Sequence, residues 1–257
     1  MNADTFRRRM AQLPEPVTDK APPYWQSWRH QLWQRGQVDD PAQFWRWPCV
    51  YHTMLVNHWP DAIVREMSQL ESRFRGVVLM PHFGPDDYYA DRQSSMNLIH
   101  QAYHIQQWEQ ATVQRINQLE IIVEFGGGYG AMALLCHRLG FEGKYVIYDL
   151  PEFSLLQEYY LSQFGLLGQM EWNPERKPKN VDLFMALYSL SEIPVADRIR
   201  AFVEAKSYLY LYSGKWQDYD NVYHFQTVIP ASQPEKQWQH TEISHLPDKG
   251  NWYSIGY

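Results

Sequence analysis

The stretch that most limits what this chain can fold into is Ile121-Ile122-Val123-Glu124-Phe125-Gly126-Gly127-Gly128-Tyr129-Gly130-Ala131-Met132-Ala133-Leu134-Leu135. A short apolar run rich in β-branched residues ends close to an acid. Three glycines, Tyr129 and a fourth glycine follow, and an apolar helical pattern starts at Ala131. Strand, glycine turn and helix in that order build a nucleotide-binding corner, because glycines let backbone approach a ligand and the helix N-terminus offers free N–H groups. Lys144-Tyr145-Val146-Ile147-Tyr148-Asp149 reads as a second strand ending in a carboxylate, about 20 residues beyond Gly126, where a ribose-binding acid is expected.

The glycines fit two patterns. Gly126-x-Gly128-x-x-Ala131 matches the dinucleotide fingerprint and would bring a nicotinamide cofactor. Glu124-x-Gly126-x-Gly128-x-Gly130 instead resembles motif I of class I S-adenosylmethionine (SAM) methyltransferases, an acid followed by alternating glycines. The dinucleotide pattern needs no carboxylate at position 124, where one would sit badly beside a pyrophosphate. Glu124 therefore favours the methyltransferase reading.

At 257 residues the chain can hold one large domain, or a core domain plus a smaller one, without disulfide staples. A net charge of −6 argues against gripping a long nucleic acid, which needs clustered basic surface. Arg7-Arg8-Arg9 reads as a solvated helix face. Cys49 and Cys136 lie far apart, which suggests a reducing compartment rather than a disulfide framework. No apolar run reaches membrane-spanning length and residues 1–20 lack the apolar centre of a signal peptide, so a cytoplasmic location is the expectation.

Residues 1–93 are expected to form a mostly helical, aromatic-rich subdomain, and 94–257 the nucleotide-binding domain. Trp25, Trp28, Trp33, Trp45, Trp47 and Trp59 crowd the first part, either as a core of large rings or as a platform for an acceptor. Ala62 to Phe74 reads as a helix and Gly76 to Met80 as a short strand. The loop Pro81 to Tyr89 carries His82, Asp86 and Asp87; turn chemistry explains it as well as a metal does, and no metal is assigned. Ser94 or Ser95 caps a long helix to about Asn117, with Leu98, Ala102, Ile105, Trp108, Thr112 and Ile116 on one face. His100 and His104 share a side of it and could face cofactor or acceptor, but His-Gln-Ala-Tyr-His lacks the glutamate of a zinc protease.

From Ile121 onward strands and helices alternate, which predicts an α/β fold around a mostly parallel sheet. Gly140 closes the first helix and Gly165 the second. Gln169 to Trp172 is a weak third strand. Val181 to Leu187 is a buried fourth, running into Tyr188-Ser189-Leu190-Ser191-Glu192 beside the first strand, near the ligand crevice. A helix over 196–206 and a fifth strand at 208–212 follow. Val222 to Ile229 and Asn251 to Tyr257 read as a closing antiparallel pair.

A terminal hairpin on a parallel sheet is the class I methyltransferase pattern. With Glu-Phe-Gly-Gly-Gly-Tyr-Gly at 124–130, Tyr-Asp-Leu-Pro-Glu at 148–152 and Tyr-Ser-Leu-Ser-Glu at 188–192, residues 94–257 are similar to the bacterial sugar O-methyltransferases. The resemblance implies a Rossmann-like sheet of seven strands, the last pair antiparallel, with SAM as cofactor and S-adenosylhomocysteine as product. It implies that Glu124, Gly126, Gly127, Gly128 and Gly130 hold the methionine moiety and ribose. Asp149 would accept from the ribose hydroxyls, and Leu150, with residues around Trp172 and Asn173, would flank the adenine. Ser189 completes the implied cofactor set. The implied acceptor is a small molecule, a carbohydrate or nucleotide-sugar precursor, with no nucleic acid or membrane partner; a homo-oligomer is left open. The absence of an Asn/Asp-Pro-Pro-Tyr tetrapeptide after the fourth strand favours an oxygen acceptor.

A protonated hydroxyl is a poor nucleophile, so such an enzyme needs a positioned base. The candidates are Glu192, which follows the fourth strand, His245 in the loop before the last strand, and His82, with His104 behind them. Two alternatives stay open: an O-methyltransferase for a phenolic or carboxylic natural product, and an NAD(P)-binding oxidoreductase on the same corner.

Overall fold

A computed structural model describes residues 1–16, 23–56, 59–80, 88–89, 94–248 and 250–257. Its centre is a sheet of seven strands: β1 (Ile121–Phe125), β2 (Lys144–Tyr148), β3 (Met170–Trp172), β4 (Val181–Leu187), β5 (Ala205–Ser213), β6 (Trp238–Glu242) and β7 (Asn251–Gly256). The spatial order is β6-β7-β5-β4-β1-β2-β3. β1 to β5 pair in parallel, while β7 inserts antiparallel between β5 and β6. This is the Rossmann-like arrangement expected from the sequence. The strand order reverses between β1 and β4, so a crevice opens at the carboxyl ends of those strands. Glu124 on β1 is in register with Ile147 of β2 and Met185 of β4, at the floor of that crevice.

Eight helices matter here: α1 (Ala3–Gln12), α2 (Pro23–Val38), α3 (Pro60–Gln69), α4 (Ser72–Val78), α5 (Met96–Thr112), α6 (Ala131–Arg138), α7 (Pro151–Ser162) and α8 (Val195–Ala201). α5 packs on α6 and is itself covered by α3 and α4. A helix covered on both sides buries many of its polar side chains, and several of those on α5 find protein partners. Asn97 donates to the Tyr129 hydroxyl at 2.9 Å, Gln106 spans the backbone of Gln69 and Glu71, and Glu109 pairs with Arg73 and Arg115.

One apolar core runs from Phe6 and Met10 on α1 through Phe44, Trp47 and Phe74 to Leu134, Leu156 and Leu161 beneath the sheet. The other face of the sheet is aromatic, with Tyr208, Tyr210 and Trp238 stacked. A buried ion pair, Arg29 to Glu152 at 3.0 Å, ties α2 to α7. Among the described residues, no helix is long and apolar enough to cross a membrane.

Three expectations are corrected. Residues 76–78 are not strand but the end of α4, where Phe74 and Val78, four apart, are buried on one side of a helix. An apolar run this short carries no period to separate the two. Residues 222–229 are helical, including a π-helical turn at His224–Val228, with Phe225 and Ile229 turned inward. The penultimate strand is instead β6, a half-exposed polar edge that hydrophobicity does not reveal. α5 also stops at Thr112, short of Asn117, because Val113 takes a left-handed conformation with φ 58°.

Candidate active site

The glycine turn is held by conformation and by crowding. Gly126, Gly128 and Gly130 have φ of +77°, +55° and +99°, a region that side chains disfavour. A Cβ on Gly126 would lie 2.3 Å from the Cβ of Ser189, and one on Gly127 would lie 2.9 Å from Ile147. Ser189 is thus the brace that forces glycine at 126, and its hydroxyl donates to the Phe125 carbonyl. At Gly128 the nearest atom is Met54 Cγ at 3.9 Å. α6 begins at Ala131 directly behind the turn.

Beneath the loop lies Glu124, 2% exposed. Burial pushes its carboxyl up to about 8, against the opposing hydrogen bond that the Tyr145 hydroxyl donates at 2.8 Å. Asp149, at the end of β2, is also pushed up by burial, to about 7, although its oxygens accept from the Leu150 N–H at 2.8 Å and Gln157 Nε2 at 2.7 Å. Gln157, fully buried on α7, also donates to the Gly128 carbonyl and accepts from the Trp172 indole. It joins the glycine turn, the acid and the third strand. A lone glutamine in an amphipathic helix gives no sequence signal of that role. Leu150 caps α7, and Asn173 accepts from the Asp149 N–H at 2.9 Å.

On the other side of the crevice, β4 ends in a turn that begins with Tyr188 at φ 67°, ψ −38°. An aromatic residue there is strained, and such strain persists only where surroundings impose it. Arg198 imposes part of it: its buried guanidinium donates to Ser191 O and Ile193 O and to Asn221 Oδ1. The turn presents Glu192, whose carboxyl burial raises to about 7, partly offset by the Trp25 indole donating at 3.1 Å. The Tyr188 hydroxyl is buried without a partner among the described residues.

A third group joins α3, α5 and the loop before β7. Glu66, 1% exposed, accepts from His100 Nδ1 at 2.9 Å and from His245 Nε2 at 2.7 Å. Burial alone would raise the Glu66 carboxyl, but the two histidines outweigh it and hold it below its ordinary range. His104 packs on His100 with ring centroids 4.1 Å apart, and Tyr253 bonds His104 Nδ1 at 2.6 Å. Burial drives the His104 pKa far down and that of Tyr253 far up, so both stay neutral.

These walls enclose a cavity of about 1380 Å³. It is lined by Glu124, Gly126, Gly127, Gly128, Asp149, Leu150, Ser189 and Glu192, and also by His100, His104, Trp25, Trp59, Trp216 and Tyr188. Gly130 stands outside, where it caps α6 against Leu161. His245 is not part of the lining: its Nε2 is tied to Glu66 and its ring packs edge-on to Tyr103. His82 lies outside the described residues, as do Asp86 and Asp87. Among the described residues no group of three or more His, Cys, Asp or Glu side chains is arranged to hold a metal ion.

No family model matches the sequence, and no curated protein matches it. Among solved structures, the chain is similar to a SAM-dependent methyltransferase from Aquifex aeolicus, 13% identical, over 60% of this chain and 87% of that one, with a TM-score of 0.40. It is similar to a Podospora anserina methyltransferase solved with S-adenosylhomocysteine, 13% identical, over 76% and 87%, with a TM-score of 0.40. A third likeness is to the StiE O-MT, residues 942–1257, 10% identical, over 59% and 71%, with a TM-score of 0.47.

Proposed function

We propose that the protein is a SAM-dependent O-methyltransferase that acts on a hydroxyl of a small molecule, a sugar or nucleotide-sugar precursor. The observation that carries this reading is the glycine cradle over a buried acid. At Gly126 and Gly127 a Cβ would collide with Ser189 and Ile147, so the backbone there is bare where the turn meets the cavity. Among the described residues Glu124 has a phenol but no cation beside it, and burial pushes its carboxyl up to about 8. A ligand amine would supply the missing positive charge, whereas a pyrophosphate would supply none. Asp149 has hydrogen-bond donors on both oxygens yet still borders the cavity, so a ribose hydroxyl could use its remaining lone pairs. Leu150 and Asn173 line the cavity beside it, suited to an adenine.

When bound, SAM supplies a methyl group on a sulfonium centre. The chain's own residues then have to hold an acceptor oxygen in line and remove its proton. We assign residues 1–93 to the acceptor side, where Trp25 and Trp59 meet the cavity, joined by Trp216. Aromatic faces set beside a carboxylate suit a sugar, which has an apolar ring face and hydroxyls at its edge. Glu192 is the carboxylate we assign to meeting an acceptor hydroxyl. The test is methyl uptake from isotopically labelled SAM across a panel of nucleotide sugars, free sugars and phenols. Label in a sugar supports the reading; label only in phenols moves the acceptor to the natural-product class.

A further inference from the structure

The proton acceptor is a separate question from the acceptor's binding carboxylate, and the buried histidine cluster bears on it. His100 lines the cavity and is 4% exposed. Both carboxylate oxygens of Glu66 lie 2.9 Å from its Nδ1. A carboxylate accepts only, so the Nδ1 proton is fixed there in the neutral ring, and Nε2 carries the lone pair. That Nε2 is buried and has no hydrogen-bond partner among the described residues. A buried acceptor without a partner is costly, and a ligand hydroxyl is the group that would relieve it. His104 next to it has a different partner at the same atom, its Nδ1 lying 2.6 Å from the neutral Tyr253 hydroxyl.

We propose that His100 is the catalytic base of the methyl transfer, with Glu66 as the positioning residue that fixes its tautomer and stabilises its cation. This rests on the methyltransferase reading above. As the oxygen–carbon bond forms, the carbon–sulfur bond breaks and its electron pair stays on sulfur; the hydroxyl proton moves to His100 Nε2. The positive charge lost by the sulfonium reappears on the imidazole, beside a carboxylate that is already ionised. Glu192 would end as a neutral acid on taking the proton, and its partner, an indole N–H, stabilises the ionised carboxylate instead. Among the described residues, the titratable groups around His100 are Glu66 from α3, His104 from its own helix and, through Glu66, the loop residue His245, with Tyr103, Tyr188 and Tyr253 as neutral phenols near that carboxylate. His245 shares the carboxylate from its far side, so Glu66 holds both rings in place.

The experiment uses the full chain and four substitutions, His100→Gln, His100→Ala, Glu66→Gln and Glu192→Gln. Calorimetry with S-adenosylhomocysteine comes first. Binding by the wild type and by His100→Gln within about threefold keeps the cofactor reading, and absent wild-type binding would refute that reading rather than the choice of base. On the panel member the wild type labels, His100→Gln should lower kcat by about 100-fold or more. Glu192→Gln should raise KM with kcat within about threefold. Imidazole in the buffer should restore part of the activity of His100→Ala. Glu66→Gln should lower kcat less and change the pH profile. Independently of turnover, side-chain ¹⁵N NMR of the wild type should find His100 protonated at Nδ1 and bare at Nε2, and this measurement stands should Glu66→Gln fail to fold. A proton resident on Nε2 in the neutral ring, or undiminished kcat in His100→Gln with a collapse in Glu192→Gln, would overturn the proposal.

Discussion

The two walls of the cavity are built on different plans. The cradle wall comes from one continuous stretch, β1 through the end of β2, and its chemistry is mostly backbone: left-handed glycines, a helix start and two acids at strand ends. The wall we assign to the acceptor is assembled from α2, α3, α5, the turn after β4 and the loop before β7, and its chemistry is in side chains that meet only in the folded chain. Glu66, His100 and His245 share one buried carboxylate across 179 positions of sequence. A backbone device must be written in consecutive residues, whereas a side-chain device needs only that the fold bring its parts together.

Substitutions on the cradle wall should therefore act on cofactor affinity, and those on the acceptor wall on turnover and acceptor recognition. The largest effect is expected from Gly126→Val. Its φ of +77° disfavours any β-branched residue by at least about 1–2 kcal/mol, and Ser189 blocks the Cβ. Calorimetry should show S-adenosylhomocysteine binding weakened by more than about 100-fold; near-normal affinity would mean that the cradle is not where the ligand lies. Asp149→Asn should follow, with affinity lower by roughly 10-fold, the loss of a charge-assisted hydrogen bond. An unchanged dissociation constant would remove Asp149 from the ribose.

Acidity sharpens the contrast further. Glu124 holds its proton in the folded chain up to about 8 and Asp149 up to about 7, well above their ordinary 4.5 and 3.8. The unfolded chain releases both protons earlier, so between about pH 4.5 and 8 it binds fewer protons than the folded chain. The contribution of these two groups to stability then falls as pH rises through that window. Glu124→Gln should flatten the fall, and its Tm at pH 8 should exceed the wild type's by about 5 °C. Thermal melts across the range check this; a slope as steep as the wild type's would mean that Glu124 is already ionised in the fold. The smallest effect is expected from Trp25→Phe. It removes the indole that steadies the ionised Glu192, so the Glu192 pKa should move above about 7 by less than one unit, read from the acid side of the kcat/KM profile. No movement would separate Glu192 from acceptor recognition.

Legibility in the sequence followed the same division. The sheet, its strand count and the antiparallel ending were readable because alternation, glycine caps at 140 and 165, and β-branched runs each have a local cause. Val222 to Ile229 misled because apolar residues four apart, such as Phe225 and Ile229, serve a helix as well as a strand. The polar β6 edge was hidden by its half-exposure. Within the site, Glu124, the glycines and Asp149 lay in recognisable order, while Gln157 and Glu66 did not. A buried glutamine or glutamate in an amphipathic helix differs from a solvated one only through partners distant in sequence. His245 stands in the loop that the sequence places over the site, yet it turns to Glu66 rather than to the cavity lining.

The central claim is that the glycine turn and its two acids receive a sulfur-containing nucleoside with an amino-acid tail. Calorimetric titration of the full chain with S-adenosylhomocysteine and, separately, with NAD tests it most directly. The account predicts saturable one-to-one binding of S-adenosylhomocysteine that Gly126→Val abolishes, and no heat from NAD. Saturable binding of NAD, or none of S-adenosylhomocysteine, would contradict it.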